Sequence, residues 1–158
     1  MIVTRAATEA DLQQLAVFEA EIAAISFGAD AVTDPAQHVK KLRRALERGE
    51  DIMLVLADGE LVLGWLWASL NTNMFTGEAY ANFRSFYLAQ TLRGASWADT
   101  LFAAALAEIK VEEDVKRVVG KVHVNNLPMR LLYKQWGFVP QHLTMELTLA
   151  GNEAEDDC

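Results

Sequence analysis

Two stretches of this chain hold groups whose type and spacing could do chemistry. The first is Phe86-Tyr87-Leu88-Ala89-Gln90-Thr91-Leu92-Arg93-Gly94-Ala95-Ser96-Trp97-Ala98, a strand running directly into a helix. Backbone N–H groups at such a junction have no intrahelical acceptor and stand at the positive end of the helix dipole, so an anion, above all a pyrophosphate, can occupy them. The small residues Gly94, Ala95, Ser96 and Ala98 let a phosphate approach the main chain. The stretch has neither the lysine of a P-loop nor the glycine spacing of a dinucleotide fingerprint. Taken alone, such a junction is usually just a turn. The second stretch is Asn125 to Phe138, in which Asn126 and Tyr133 are seven residues apart. That spacing stacks them on one helix face, about 10 Å apart along the axis. A phenol two turns into a helix could donate a proton to a departing thiolate. Packed with Met129, Leu132 and Trp136 it is an ordinary core aromatic, and taken alone that reading prevails.

The elements that must position these groups follow from periodicity and punctuation. Met1–Ala6 is rich in β-branched residues and reads as a strand. Thr8 and Asp11 form a capping arrangement before Leu12, Leu15, Phe18, Ile22 and Ile25, whose steps of three and four predict a helix to about Phe27. Asp34-Pro35 opens a second helix, and Gly49 stops it after a basic last turn of Arg43, Arg44 and Arg48. Asp58-Gly59 joins Ile52–Ala57 to Glu60–Leu70 as a hairpin, with Gly64 marking a bulge. A loop over Asn71–Glu78 leads to a strand at Tyr80–Ala89. Gly94–Lys110 is a helix with Trp97, Leu101, Ala105 and Ile109 along one face, and Arg117–Val124 is the strand that completes a βαβ unit. Asn126–Trp136 is a last helix, and Leu143–Leu149 a closing strand. The order β-α-α-β-β-β-α-β-α-β predicts an α/β fold, a central mixed β-sheet flanked by helices, antiparallel first and parallel across one crossover.

Composition narrows the function classes. With 158 residues, 52% of them hydrophobic, the chain suits one domain over residues 1–150 with its own core, and an acidic, disordered tail is expected over 151–158. The formal charge is −8; without Glu153, Glu155, Asp156 and Asp157 the balance is 18 acidic against 14 basic groups. Such a surface repels nucleic-acid phosphate. It suits a cationic amine, or simply keeps the protein in solution. The sole cysteine, Cys158, has no partner in the chain, which points to a reducing compartment. The N-terminus has no apolar run of signal-peptide length, and Asp58, Gly59 and Glu60 interrupt the most apolar stretch, Ile52 to Leu70, so neither export nor a membrane partner is expected. A cytoplasmic location follows by elimination. Three scattered histidines and one cysteine predict no metal site.

Together the two stretches resemble the GCN5-related N-acetyltransferase (GNAT) family, whose members carry a strand, an R/Q-x-x-G-x-G/A turn, a helix, a parallel strand and an N-x(6)-Y-x(3)-G-F segment. Arg93-Gly94-Ala95-Ser96-Trp97-Ala98 is similar to the turn, and Asn126, Tyr133, Gly137 and Phe138 match the last segment at its spacing. The element order is also similar from Met1 to Leu149. The resemblance implies an acetyl transfer from acetyl-CoA to a primary amine by direct attack. It implies that amides of Arg93, Gly94, Ala95, Ser96, Trp97 and Ala98 hold the CoA pyrophosphate, and that backbone groups of Tyr87, Leu88 and Ala89 pair with the pantetheine arm. Asn126 is implied to contact that arm or CoA, and Tyr133 to be the general acid. The expected partners are acetyl-CoA and the amine acceptor, with a homodimer left open.

Two departures stand out. Ser96 replaces the family's glycine, and Arg84 and Lys121 occupy places where many relatives carry a basic glutamate. His123, two residues past Lys121 on the expected strand face, is a candidate base; a water relay is the alternative. The competing function is a non-catalytic CoA- or partner-binding domain on the same scaffold. Trp65 and Trp67 share a strand face and are expected in the core. The acceptor site is expected to be open, lined by Ile25–Thr33 and Asn71–Tyr80.

Overall fold

Five strands in the order β1-β2-β3-β4-β5 form one sheet in the computed structural model, which describes residues 1–149. In chain order the elements are β1 (Ile2–Ala6), α1 (Leu12–Phe27), α2 (Pro35–Arg48), β2 (Ile52–Asp58), β3 (Leu61–Thr72), β4 (Ala79–Leu88), α3 (Trp97–Val111), β5 (Val115–Gly120) and α4 (Leu127–Gln135). β1 through β4 pair antiparallel, and β4 pairs parallel with β5 across α3. The mixed α/β sheet flanked by helices is therefore as expected.

The continuous apolar run of β2 shows why the sheet is covered on both faces. Ile52, Leu54 and Leu56 join a core built with α3 and α4, while Met53, Val55 and Ala57 join a second core with α1 and α2. Local signals act where they were read. Asp34 accepts a hydrogen bond from the Ala36 amide at 3.0 Å to start α2, and Gly49 ends it at φ +68°. The Asp11 carboxylate accepts from the Thr8 amide at 2.8 Å and from both Arg5 terminal nitrogens at 2.8 and 2.9 Å. Trp65 and Trp67 are buried, as expected.

Two bulges shape the middle of the sheet. Leu63 is the extra residue of β3 opposite β2, one place before the glycine expected to mark it. A Cβ on Gly64 would stand 2.9 Å from Leu56 Cδ1 and 3.0 Å from Leu88 Cδ2, so this glycine lets β2, β3 and β4 close on one another. The second bulge is Arg84, unpaired between Phe83 (opposite Ala68) and Ser85 (opposite Trp67).

Three expectations need correction. The helix expected from Gly94 starts at Trp97, because a 3-10 turn at Gln90–Leu92 and Gly94 at φ +83° occupy the approach. The strand expected over Arg117–Val124 is β5 at Val115–Gly120; pairing with β4 ends at Phe83 opposite Gly120, so Lys121–Asn126 is irregular. Leu143–Leu149 forms no strand. Its alternation of apolar and polar residues is a strand pattern, but a strand needs an edge to pair with, and Leu143, Met145 and Leu147 are at least 85% exposed. The acidic tail lies outside the described residues.

Candidate functional site

The site grows from the point where β4 and β5 part. Beyond the Phe83–Gly120 pair, β4 continues from Arg84 to Leu88 with only β3 paired to it among the described residues, so its β5 side has no strand partner there. Tyr87 and Leu88 lie on that segment, and the Ala89 amide turns away to Leu63 O at 2.8 Å. An extended amide-bearing arm could pair there as a further strand does. Immediately after, Arg93 folds back, its Nε donating to Leu88 O at 2.9 Å, and its own amide bonds to Gln90 O. The next amides, Gly94 through Asp99, find no main-chain acceptor among the described residues; the first to do so is that of Thr100, on Ser96 O. Gly94, Ala95 and Ser96 are exposed, and α3 begins just behind them. Consecutive exposed amides at a helix start suit a phosphate or pyrophosphate. Arg93 is thus drawn toward the strand end by its side chain, and its amide is already used.

Tyr133 reaches the parting point from α4. A Cβ on Gly120 would lie within 2.7 Å of Tyr133 Cε1, and closer still to Cζ and the hydroxyl oxygen. The phenol therefore rests directly on the last residue of β5. The residue is buried, and desolvation pushes its pKa up to about 12, so it holds its proton at neutral pH. The hydroxyl bonds to no protein atom among the described residues, and no fully buried side-chain polar atom there lacks a partner, so its oxygen keeps some contact with solvent. Phe138 and Trp136 pack against the ring at centroid distances of 4.7 and 6.4 Å. Both readings of Tyr133 thus meet: the ring belongs to the core and the hydroxyl is free for a ligand.

Asn126 stands one face-repeat away as the N-cap of α4, its Oδ1 accepting from the Met129 amide at 3.3 Å. His123 lies in irregular chain past β5, so the argument from a shared strand face with Lys121 does not hold. Its Nδ1 accepts from the Asn125 amide at 3.1 Å, and its ring packs edge-on against Phe27 at 5.3 Å. That bond occupies the lone pair on Nδ1 and leaves the ring proton on Nε2.

On the opposite face of the sheet, against α1 and α2, a cavity of about 250 Å³ opens beside the same parting point. Its wall is Glu19, Lys41, Trp67, Asn82, Phe83, Arg84, Ser85 and Lys121. His123 is not part of it. Glu19 is the residue sequence reading missed. It is buried, with Oε1 accepting from Trp65 Nε1 at 2.9 Å, while Oε2 has no protein partner among the described residues and is reached by solvent. The signal was available: Leu12, Leu15, Ala16 and Glu19 fall at i, i+3, i+4 and i+7, so this carboxylate sits in the buried stripe of α1. Tyr87 makes a second carboxylate contact, its hydroxyl donating to Glu21 while Phe18 stacks on its ring at 4.3 Å. Its pKa is raised, by desolvation first and by Glu21 next.

Among the described residues, no three His, Cys, Asp or Glu side chains gather as a metal site, and no helix is long and apolar enough to cross a membrane.

The family model described as the acetyltransferase (GNAT) family matches residues 14–138. No curated protein matches the sequence. Among solved structures, the chain is similar to a transcriptional regulator from Bacillus halodurans C-125, with TM-score 0.76 and 19% identity over 94% of this chain and 100% of that one. It is similar to a possible acetyltransferase from Clostridium difficile 630, with TM-score 0.75 and 16% identity over 94% of this chain and 98% of the other. An acetyltransferase from Trypanosoma brucei aligns with TM-score 0.65 and 18% identity, over 94% of this chain and 100% of its own. At these identities the likeness is one of fold.

Proposed function

Because the chain belongs to the acetyltransferase (GNAT) family, we propose that it transfers an acetyl group from acetyl-CoA to a primary amine, with Tyr133 as the general acid. The observation that carries the reading is the position of the Tyr133 hydroxyl on Gly120, where β4 and β5 part, protonated and without a protein partner among the described residues. Three parts of the chain fit the thioester substrate. The Gly94–Ala98 amides suit its pyrophosphate, the stretch Arg84–Tyr87, without a second strand partner among the described residues, suits its amide-bearing arm, and the gap beyond Gly120 leads the thioester toward Tyr133. The phenol then holds a proton for the sulfur as it leaves. The amine enters from the cavity on the other face, where Glu19 is the carboxylate on the wall. The proton of the amine passes to Glu19 or to water beside it; His123, with Nδ1 engaged, is the weaker candidate.

The test compares wild type with Tyr133→Phe in two measurements. A thermal melt with acetyl-CoA at 100 times its dissociation constant should show a stabilisation of about 2.7 kcal/mol in both proteins. Turnover with an acetylated acceptor should fall about 100- to 10,000-fold in the variant alone. Absence of any acetyl-CoA shift would reject the reading, and full turnover by Tyr133→Phe would return Tyr133 to the core.

A further inference from the structure

We propose that the acceptor amine also carries an anionic group, a carboxylate or a phosphate, held by Arg84, Lys121 and Lys41. The proposal rests on the acetyl-transfer reading and adds the acceptor's class to it. The three cations come from three places in the fold, β4, the chain just past β5, and α2, and meet on the wall of the 250 Å³ cavity. None of the three makes an ion pair among the described residues, so their charge is available to a ligand.

Local geometry concentrates them further. Arg84 is the bulged residue of β4, and its guanidinium carbon lies 4.2 Å from the centre of the Trp67 ring; Lys41 Nζ stands 5.4 Å from the same ring. The indole holds both cations by its π face. Two like charges this near one ring repel, and an anion that reaches both relieves that repulsion. The guanidinium fork matches a carboxylate or phosphate with two parallel hydrogen bonds. Across the same wall, Glu19 presents a solvent-reached oxygen to the amine end. The cavity thus has one sign of charge for each end of an amino acid or an aminoalkyl phosphate. The acidic surface as a whole suited a cationic amine, but recognition depends on the charges that touch the ligand, and here they are mostly positive.

Matched acceptors decide the matter: alanine against alaninamide, 2-aminoethyl phosphate against ethanolamine, and spermidine as a polycation. Acetylation rates should favour the acid of a pair by about 10- to 100-fold in kcat/KM, the range of a charge-assisted hydrogen bond. Lys41→Gln and Lys121→Gln should bring that ratio toward one without changing the acetyl-CoA melting shift. Whichever acid wins identifies carboxylate or phosphate as the source. Preference for the neutral partner or for spermidine, still abolished by Tyr133→Phe, overturns this proposal and leaves acetyl transfer standing. Should no compound be acetylated, calorimetric binding of the same pairs decides. Acids that bind, and fail to bind Arg84→Gln, support the cationic wall while acetyl transfer falls; no binding by either acid overturns the proposal.

Discussion

Gly120→Ala tests the core of the site more sharply than removing the phenol itself. Gly120 has an ordinary backbone conformation, so alanine brings no φ strain. Its Cβ, however, would fall within 2.7 Å of Tyr133 Cε1 and nearer still to the hydroxyl. Ordinary carbon contacts lie at about 3.5 Å, so the phenol tip must retreat by about 1 Å. Tyr133 is wedged by Phe138 and Trp136, which limits the retreat to a tilt of the ring or a shift of α4. Overpacking of this kind costs about 1–3 kcal/mol of stability. A misplacement of about 1 Å costs about 100-fold in turnover. The expected outcome in a steady-state assay of thiol release is therefore a fall of about that size in kcat, with acetyl-CoA affinity retained. Because both substitutions disable one hydroxyl, adding Gly120→Ala to Tyr133→Phe should lower turnover little further. Full turnover by Gly120→Ala would refute the placement of the phenol at the parting of β4 and β5. So would losses that multiply in the double variant.

Two stability predictions follow from the charged groups. The folded-state pKa of Tyr133 is raised to about 12 from an ordinary 10, so its contribution is complete below the unfolded value and is lost as pH rises through the folded one. Denaturant melts should show the stability of wild type relative to Tyr133→Phe falling by about 1.4 kcal/mol between about pH 8 and about pH 11; a constant difference would contradict the burial of the hydroxyl. Asp11 is the opposite case. The hydrogen bonds from Arg5, and then that from the Thr8 amide, hold its carboxyl below the usual range against desolvation, so it stabilises the fold above that range and the effect disappears as pH falls through the folded value. Asp11→Ala should cost about 1–3 kcal/mol at neutral pH, a range that allows for solvent screening of the partly exposed Arg5. The melting temperatures of variant and wild type should converge on acidification. Parallel curves would show that the carboxylate adds no charge-dependent stability.

Much of the molecule was legible before any coordinate because its determinants are local. Asp34-Pro35 and Gly49 bracket α2, Asp58-Gly59 turns β2 into β3, and the spacing of Asn126, Tyr133, Gly137 and Phe138 marks α4, all within a few residues of chain. Capping, turn geometry and helical periodicity act over that range, so sequence order is enough to read them. The boundaries that failed depend on partners. β5 stops at Gly120 because β4 bends away at the Arg84 bulge, and nothing in Lys121–Val124 announces that loss. Residues 143–149 carry a strand's alternation, but a pattern of period two names no partner edge.

The chemistry divides the same way. Sequence alone determined the family's signature and the amide-rich turn before α3, since each is a contiguous stretch. Only the tertiary structure decided that Tyr133 rests on Gly120, thirteen positions earlier, and that Glu19, Lys41, Arg84 and Lys121 share one cavity. Those residues come from α1, α2, β4 and the chain just past β5. They meet because two cores, one on each face of the sheet, pull the helices down onto a strand gap that hydrogen bonding leaves open. The meeting is set by burial summed over the whole fold, which no short spacing encodes.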